Sequence, residues 1–271
     1  MDELLMNNSS IEQIKEFILN EFDKYNNDIP MKRVRIRFAM CDFCYYGQLE
    51  AAKWLVSENP DADISAYNES AFKSACEKGH FEVAKWLLTV KPDIDISNDD
   101  EYAFRNACEE GHFEVAKWLL TIKPNINISA CGEYAFATSC INNYFNIASW
   151  LLEVKPTINI SVENEIIFRT ACEDGNLKVA KWLYNIKPNI NISIYNEAPF
   201  KTACEEGHFE LAKWLYSIKP EIDISNDDNY AFQRACHNEH LEVAKWLYEL
   251  KSNIHVSGYG DENFFVACKY G

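Results

Sequence analysis

The sequence predicts an all-α solenoid of about seven helix-turn-helix repeats of 32 residues, with a partial eighth repeat and short hairpin-like links. Four columns of residues predict this fold. The seven tryptophans are all spaced 32 residues apart: Trp54, Trp86, Trp118, Trp150, Trp182, Trp214 and Trp246. Eight of the ten cysteines keep the same spacing: Cys44, Cys76, Cys108, Cys140, Cys172, Cys204, Cys236 and Cys268. A phenylalanine stands four residues before seven of these cysteines, and a proline follows most tryptophans by six residues.

The repeat register divides the chain into a leader, full repeats and a terminal fragment. The leader is 1–33 and the partial repeat is 258–271. The full repeats are 34–65, 66–97, 98–129, 130–161, 162–193, 194–225 and 226–257. In the leader, Ile11, Ile14, Ile18 and Phe22 share one apolar stripe behind Ser10, a suitable N-cap, so we expect a helix that caps the first repeat.

The repeat 98–129 shows how each unit is built. Phe104, Ala107 and Cys108 recur at the spacing of one helix face, and Gly111 ends this first helix by adopting a left-handed conformation. A second helix starts at Phe113 and stops before Pro124, which has no amide proton to donate. The tail, residues 125–129, alternates polar and apolar residues, which predicts an extended link leading to a polar tip.

Residues 107–120, ACEEGHFEVAKWLL, with the following Asn-Ile-Asn, resemble the ankyrin repeat. The resemblance runs from residue 34 to the end of the sequence, and it implies stacked helix pairs that bind a protein partner without catalysis. The chain departs from that family in its period of 32 rather than 33 and in its Lys-Pro after the second helix. The links are similar to those of ankyrin arrays encoded by large DNA viruses of amoebae, which would imply the cytoplasm of a host cell.

Charge and composition restrict the partner. The chain carries 26 Lys and Arg against 42 Asp and Glu, a net charge of -16, which repels nucleic acid and anionic membrane surfaces. A basic cluster, residues 32–37, is interpreted as a solvated capping segment, with an anion-binding patch as the alternative. The first ten residues lack the pattern of a secretory signal, and the sequence has no apolar run long enough to span a membrane. We therefore expect an intracellular, cytoplasmic protein.

The repeated Cys, His and Trp residues favour packing over chemistry. Cys108 and His112 are four residues apart, but Gly111 breaks the helix between them, and two ligands do not complete a zinc site. We expect free thiols packed as small apolar groups, turn histidines that bind backbone, and tryptophans that pack between repeats. A metal- or redox-active protein is the alternative, and the Cys41-x-x-Cys44 pair is its best support. No phosphate loop or catalytic triad stands out, so we expect no enzyme activity and no cofactor.

The binding candidates lie at the turn tips and just before each Gly-His turn. The tips supply Tyr67, Glu69, Asp99, Asp100, Glu101, Glu133, Glu163, Tyr195, Glu197, Asp227 and Asp228. The residues before the turns supply Glu109, Glu110, Glu173, Asp174, Glu205, Glu206 and His237. Because acid and tyrosine dominate, two interpretations stay open: a solvated rim, or a concave face for a basic protein segment with tyrosines as anchors.

The fourth repeat is the least regular. Asn143 replaces the turn glycine and Tyr144 the histidine, and Ile141 stands where other repeats carry acid. Tyr134, Ile141 and Tyr144 therefore form a candidate apolar contact in an acidic surface, with neutral drift as the alternative.

An adaptor for a ubiquitin ligase is an alternative role for the chain. The leader lacks the Leu-Pro signature of such adaptors, which favours the capping helix. The sequence leaves the oligomeric state open.

Overall fold

The computed structural model describes residues 10–25, 28–61, 63–64 and 66–251, except for the side chains of residues 66, 67 and 228. The described residues form fifteen helices and no strand. The helices are α1 (Ile11–Asp23), α2 (Ile29–Tyr45), α3 (Leu49–Glu58), α4 (Ala66–Glu77), α5 (Phe81–Val90), α6 (Asn98–Glu109), α7 (Phe113–Ile122), α8 (Ala130–Ile141), α9 (Phe145–Val154), α10 (Val162–Glu173), α11 (Leu177–Ile186), α12 (Ile194–Glu205), α13 (Phe209–Ile218), α14 (Asn226–His237) and α15 (Leu241–Leu250). The predicted partial repeat 258–271 lies outside the described residues.

The helices are arranged in two compact units, residues 1–158 and 159–271. In the first unit α2, α4, α6 and α8 lie side by side, and each pairs with the helix that follows it in the chain. In the second unit α10, α12 and α14 lie side by side in the same way, each paired with its successor. The predicted all-α array of helix pairs is confirmed.

The leader helix packs on the first repeat. Ser10 accepts a hydrogen bond from the amide of Gln13 at 3.3 Å and donates its own amide to the Gln13 side chain at 2.9 Å, which caps α1. Ile14 and Ile18 are buried, and α1 contacts both α2 and α3. Helix α2 begins at Ile29, inside the segment that the repeat register assigns to the leader.

The core consists of the phenylalanine and leucine columns. Phe104 and Leu119 are fully buried, as are their counterparts in the neighbouring repeats. Burial of one such side chain contributes about 1.5 to 3 kcal/mol. Cys108 is also fully buried beside them, which agrees with its predicted packing role.

The tryptophans occupy the edge of this core. Trp118 lies 6.3 Å from Phe72 and 5.3 Å from Phe81, both in the preceding repeat, so the predicted packing between repeats is correct. The ring is nevertheless partly exposed. The reason is its position on the second helix, where Leu119 points into the core and the large indole covers the seam beside it.

The links are tighter than the predicted extended segment. Residues 123–129 contain two turns, at 124–125 and 128–129, so they are not one extended chain, although the buried Ile126 and Ile128 alternate with the exposed Asn127 as the sequence pattern indicates. The tip that follows is a short left-handed turn rather than the tip of a hairpin.

A ring from each of several repeats lies on the turn glycine of the preceding repeat. Gly79 has φ +73°, and a Cβ atom there would lie 2.4 Å from Nδ1 of His112. Tyr144 covers Gly111 in the same way. His80 also donates from Nε2 to the carbonyl oxygen of Tyr45 at 2.9 Å, so the turn histidine binds backbone of the neighbouring repeat. Glycine is required at this position for two reasons: it adopts the positive φ, and it leaves room for the ring of the next repeat.

The Gly79→Asn substitution therefore tests this contact. Asparagine tolerates a positive φ, so the expected loss of about 2 kcal/mol in the free energy of unfolding arises mainly from collision with His112. Adding His112→Asn should restore at least half of that loss, since positions 143 and 176 naturally hold asparagine in place of the glycine and the ring. Urea unfolding of the two single variants and the double variant measures the coupling. If the losses of the two single variants simply added up in the double variant, the His112 ring would not depend on the absence of a Cβ atom at residue 79.

Candidate protein-binding face

Each described tip contains consecutive residues in the left-handed helical region. Asp99, Asp100 and Glu101 have φ of 53°, 54° and 65°. The middle position holds Asn, Asp or Gly in every tip, and these are the residues that adopt this conformation at least cost. Backbone geometry therefore accounts for part of the polar composition of the tips, apart from any role in binding.

The last residue of the tip is a structural carboxylate. Glu101 is 8% exposed; its Oε1 accepts a hydrogen bond from the amide of Asn127 at 3.1 Å, and its Oε2 accepts one from the Ser97 hydroxyl at 2.5 Å. The side chain thus joins its own tip to the next link. A buried carboxylate held in this way is not available to a partner.

The other tip glutamates lie in the same position. Glu133 is buried and accepts from the Ser129 hydroxyl, and Glu197 accepts from Ser193 at 2.6 Å. Burial raises the pKa of the Glu69 carboxyl, which also binds the backbone of Asp95. The carboxylates of Glu69, Glu101, Glu133 and Glu197 therefore support the links, which disfavours these four candidates as binding residues.

The link lysines strengthen this arrangement. The Lys155 ammonium donates to the hydroxyl of Ser129, which itself donates to Glu133, so three repeated residues connect two links. Lys219, Ser193 and Glu197 form the same chain of contacts in the second unit. The Lys-Pro pattern predicts the end of the second helix but does not by itself reveal the bridge that the lysine forms. Its signal was present as a constant offset of 26 residues between serine and lysine.

Tyrosines of the first helices bind acids of the preceding repeat. The Tyr134 hydroxyl donates to Glu109 Oε1 and Oε2 at 2.8 and 2.9 Å, and the Tyr230 hydroxyl donates to Glu205 at 2.9 Å. Glu205 also accepts from Nε of Arg234 at 2.7 Å. The candidates Glu109, Tyr134 and Glu205 therefore have partners within the array, although all three stay partly exposed.

Two tip aspartates are neutralised by the preceding repeat. Asp99 is in an ion pair with Lys73, and Asp227 with Lys201. Glu110 lies 3.7 Å from the Lys78 ammonium. These carboxylates remain exposed, but a cation already lies beside each of them.

A smaller group of candidates is exposed and unpaired. Asp100, Glu163, Glu173, Asp174 and Glu206 have no ion pair and no side-chain hydrogen bond within the described part of the chain. Four of these five lie in the second unit, in repeats five and six. His237 is also exposed there, whereas the side chains of Tyr67 and Asp228 are outside the described residues.

Two acidic turns meet in that second unit. His208 donates from Nε2 to the carbonyl oxygen of Glu173 at 2.8 Å, and its ring covers Gly175. This contact brings the turn that carries Glu206 against the turn that carries Glu173 and Asp174. Three unpaired carboxylates are thereby grouped at the ends of α10 and α12.

Tyr195 lies at the opposite end of α12. Its side chain is 59% exposed, and its hydroxyl accepts a hydrogen bond from Asn164 at 2.9 Å. The Arg169 guanidinium lies 5.0 Å from the ring centroid. Tyr195 is therefore held in place yet accessible, which suits an aromatic anchor.

The irregular fourth repeat keeps its fold. Asn143 adopts φ 64°, which asparagine tolerates, and Tyr144 takes the ring position on Gly111. Ile141 is partly exposed at the end of α8, and in that column the two preceding repeats carry Glu77 and Glu109. Tyr134 and Tyr144 each have a contact with the preceding repeat, with Glu109 and Gly111. No such contact among the described residues accounts for the partly exposed apolar side chain of Ile141.

Six described cysteines of the 32-residue column, from Cys44 to Cys204, are buried, whereas Cys41 and Cys236 are partly exposed and Cys131 is exposed. Burial raises the thiol pKa of Cys76 and Cys108 well above its usual range, and raises that of Cys41 to about 11. Within the described residues, no three His, Cys, Asp or Glu side chains are grouped so as to hold a metal ion. None of the described helices is long and apolar enough to cross a membrane.

A comparison of Glu101 and Asp100 separates structural from available acids. Glu101→Ala should lower the free energy of unfolding by about 1 to 3 kcal/mol, because Asn127 and Ser97 lose their acceptor. Asp100→Ala has the same left-handed backbone but no such contacts, so its loss should stay near 1 kcal/mol or below. Chemical denaturation measures both. Equal losses would contradict the structural role of Glu101.

Comparison with known families agrees with this architecture. The family model described as ankyrin repeats (many copies) matches residues 40–88, 72–120 and 200–248, and the model described as ankyrin repeats (3 copies) matches residues 104–196. No curated protein matches the chain. Ankyrin repeats are generally modules for protein-protein interaction and are typically not enzymes. The chain belongs to the ankyrin repeat family.

Proposed function

We propose that the chain binds a protein partner with a basic segment, through the acidic turns of repeats five and six. The contact residues are Glu173, Asp174 and Glu206, with Glu163 and Tyr195 at the tips. The observation that carries the proposal is that these carboxylates are exposed without a cation, whereas Asp99, Glu205 and Asp227 have one. The orientation of the partner follows from Arg169, which lies beside Tyr195 and repels basic residues. Basic residues of the partner therefore contact the turns, and its apolar residues contact the tyrosine ring.

The size of this face suits a short extended segment. Tyr195 and Glu206 lie at opposite ends of α12, at most about 16 Å apart at 1.5 Å per residue, because residues 195–197 form a left-handed turn before the regular helix. An extended peptide covers that distance with about five residues. A single exposed ion pair contributes about 0.2 to 1 kcal/mol, so the affinity depends on several pairs together with the aromatic contact. The net charge of -16 increases the association rate for a cationic partner.

A labelled peptide that alternates lysine and arginine around one leucine tests the acidic turns. The triple variant Glu173→Gln, Asp174→Asn and Glu206→Gln should lower its affinity about tenfold, and the affinity of the unmodified chain should fall steeply with salt. Fluorescence anisotropy measures both effects.

The matched control is Glu82→Gln, Glu114→Gln and Glu210→Gln. It removes three exposed charges from second helices, where each glutamate is paired with a lysine three residues later. This control should change the affinity less than twofold to threefold. An equal loss in both triple variants would show that net charge, and not this face, attracts the peptide.

We also propose Ile141 as an apolar contact of the first unit. It replaces a carboxylate in a column of acids and is partly exposed, so it offers apolar area that a partner would cover.

Ile141→Glu restores the acid of the column and should reduce partner recovery in pull-down at least fivefold while leaving the unfolding midpoint unchanged. Tyr144→His is the control, because histidine is the usual ring on the turn glycine. Undiminished recovery with Ile141→Glu would rule out this contact.

A further inference from the structure

The first repeat contains a groove with a different charge from the acidic turns. It has a volume of about 390 Å³ and lies between α2 and the end of α3. One wall carries Lys32, Arg33 and Arg37, and the other carries Glu58, Asp61 and Asp63, of which Asp63 is already paired with Lys91 at 3.8 Å. The buried Ile36 forms its apolar base.

Arg33 and Arg37 lie together in this groove without partners among the described residues, although unpaired cations also occur elsewhere, at Lys181 and Lys245. Neither arginine has an ion pair or a hydrogen bond in the described part of the chain. Arg35 of the same helix, by contrast, donates to the Tyr25 hydroxyl at 3.3 Å. A chain with a net charge of -16 has acids in excess, so two arginines left unpaired in one groove indicate a site for an external anion.

The groove is open because the usual lysine bridge is absent there. In the later repeats a lysine after the second helix reaches the preceding link, as Lys155 reaches Ser129. The corresponding residue of the first repeat is Asn59, whose side chain donates back to the Leu55 carbonyl at 3.0 Å. Asn59 lines the groove without crossing it.

We propose that this groove binds an acidic, extended segment of a protein partner. Arg33 and Arg37 are one helical turn apart, about 6 Å along α2, and residues i and i+2 of an extended chain are separated by nearly the same distance on one side. Two carboxylates at i and i+2 therefore match the two guanidinium groups. Glu58 and Asp61 repel a dianionic phosphate more strongly than a carboxylate, which favours aspartate or glutamate in the ligand.

This site is independent of the acidic turns. It lies in the first unit and selects the opposite charge, so loss of one interaction leaves the other measurable. The basic cluster, for which the sequence favoured a solvated capping segment, is thereby assigned to recognition.

The full chain is titrated into a labelled peptide Ser-Glu-Ile-Glu-Ile-Ser and into its counterpart with glutamine for glutamate. The acidic peptide should bind, and its affinity should fall about tenfold in the double variant Arg33→Gln and Arg37→Gln. Glu58→Gln should raise the affinity, because it removes a repelling carboxylate. The double variant Lys181→Gln and Lys245→Gln makes the same charge change at two lysines without partners among the described residues, and it should have no effect.

Three outcomes would overturn the proposal. The first is a lack of selectivity. The unmodified chain would bind the acidic and glutamine peptides equally, or the arginine variant, with unchanged circular dichroism and unfolding midpoint, would bind the acidic peptide as tightly as the unmodified chain does. The second is displacement of the peptide by inorganic phosphate at a lower concentration than by free acidic peptide, which would assign the groove to phosphate. The third is self-association in sedimentation velocity that the arginine variant abolishes, which would make a second copy the occupant.

Discussion

Burial of one repeat's apolar face against the next is the constraint on which the rest of the structure depends. A pair of short helices cannot enclose its own apolar side chains, so Phe104 and Leu119 are buried by the neighbouring repeats. The repeats must therefore approach closely, and the turns meet where Gly79 has no Cβ and His112 fills the space. Trp118 covers the seam beside the core.

This close approach also determines which charges are used internally. At some of the repeat boundaries the tip glutamate, the link serine and the next lysine form one connected set, as Glu133, Ser129 and Lys155 do and as Glu197, Ser193 and Lys219 do. Tyrosines and tip aspartates find partners across the same boundary. These contacts use acidic and tyrosine residues that, in the sequence, look like residues of a recognition surface. Among the acids of the tips and of the residues before the turns, the carboxylates of Asp100, Glu163, Glu173, Asp174 and Glu206 remain without a partner in the described part of the chain.

The unpaired groups suggest two binding sites of opposite charge. Glu173, Asp174 and Glu206 suit a basic segment in the second unit, while Arg33 and Arg37 suit an acidic segment in the first. A repeat array accommodates such a difference because each repeat contacts its neighbours and changes in one repeat leave distant ones unaffected. In the first repeat, replacement of the link lysine by Asn59 is the local change that opens the groove.

The sequence by itself determined the helix pairs, their period and the packing role of the cysteines, because these follow from residue spacing and from the local rules for glycine and proline. It also placed the turn histidines correctly on backbone. The tertiary structure decided the rest, because exposure and pairing depend on residues that are 25 to 35 positions away in the chain. Glu101 and Glu173 are both acids of polar turns, yet the next link buries the first and nothing described pairs with the second. The structure therefore selected the candidate binding residues.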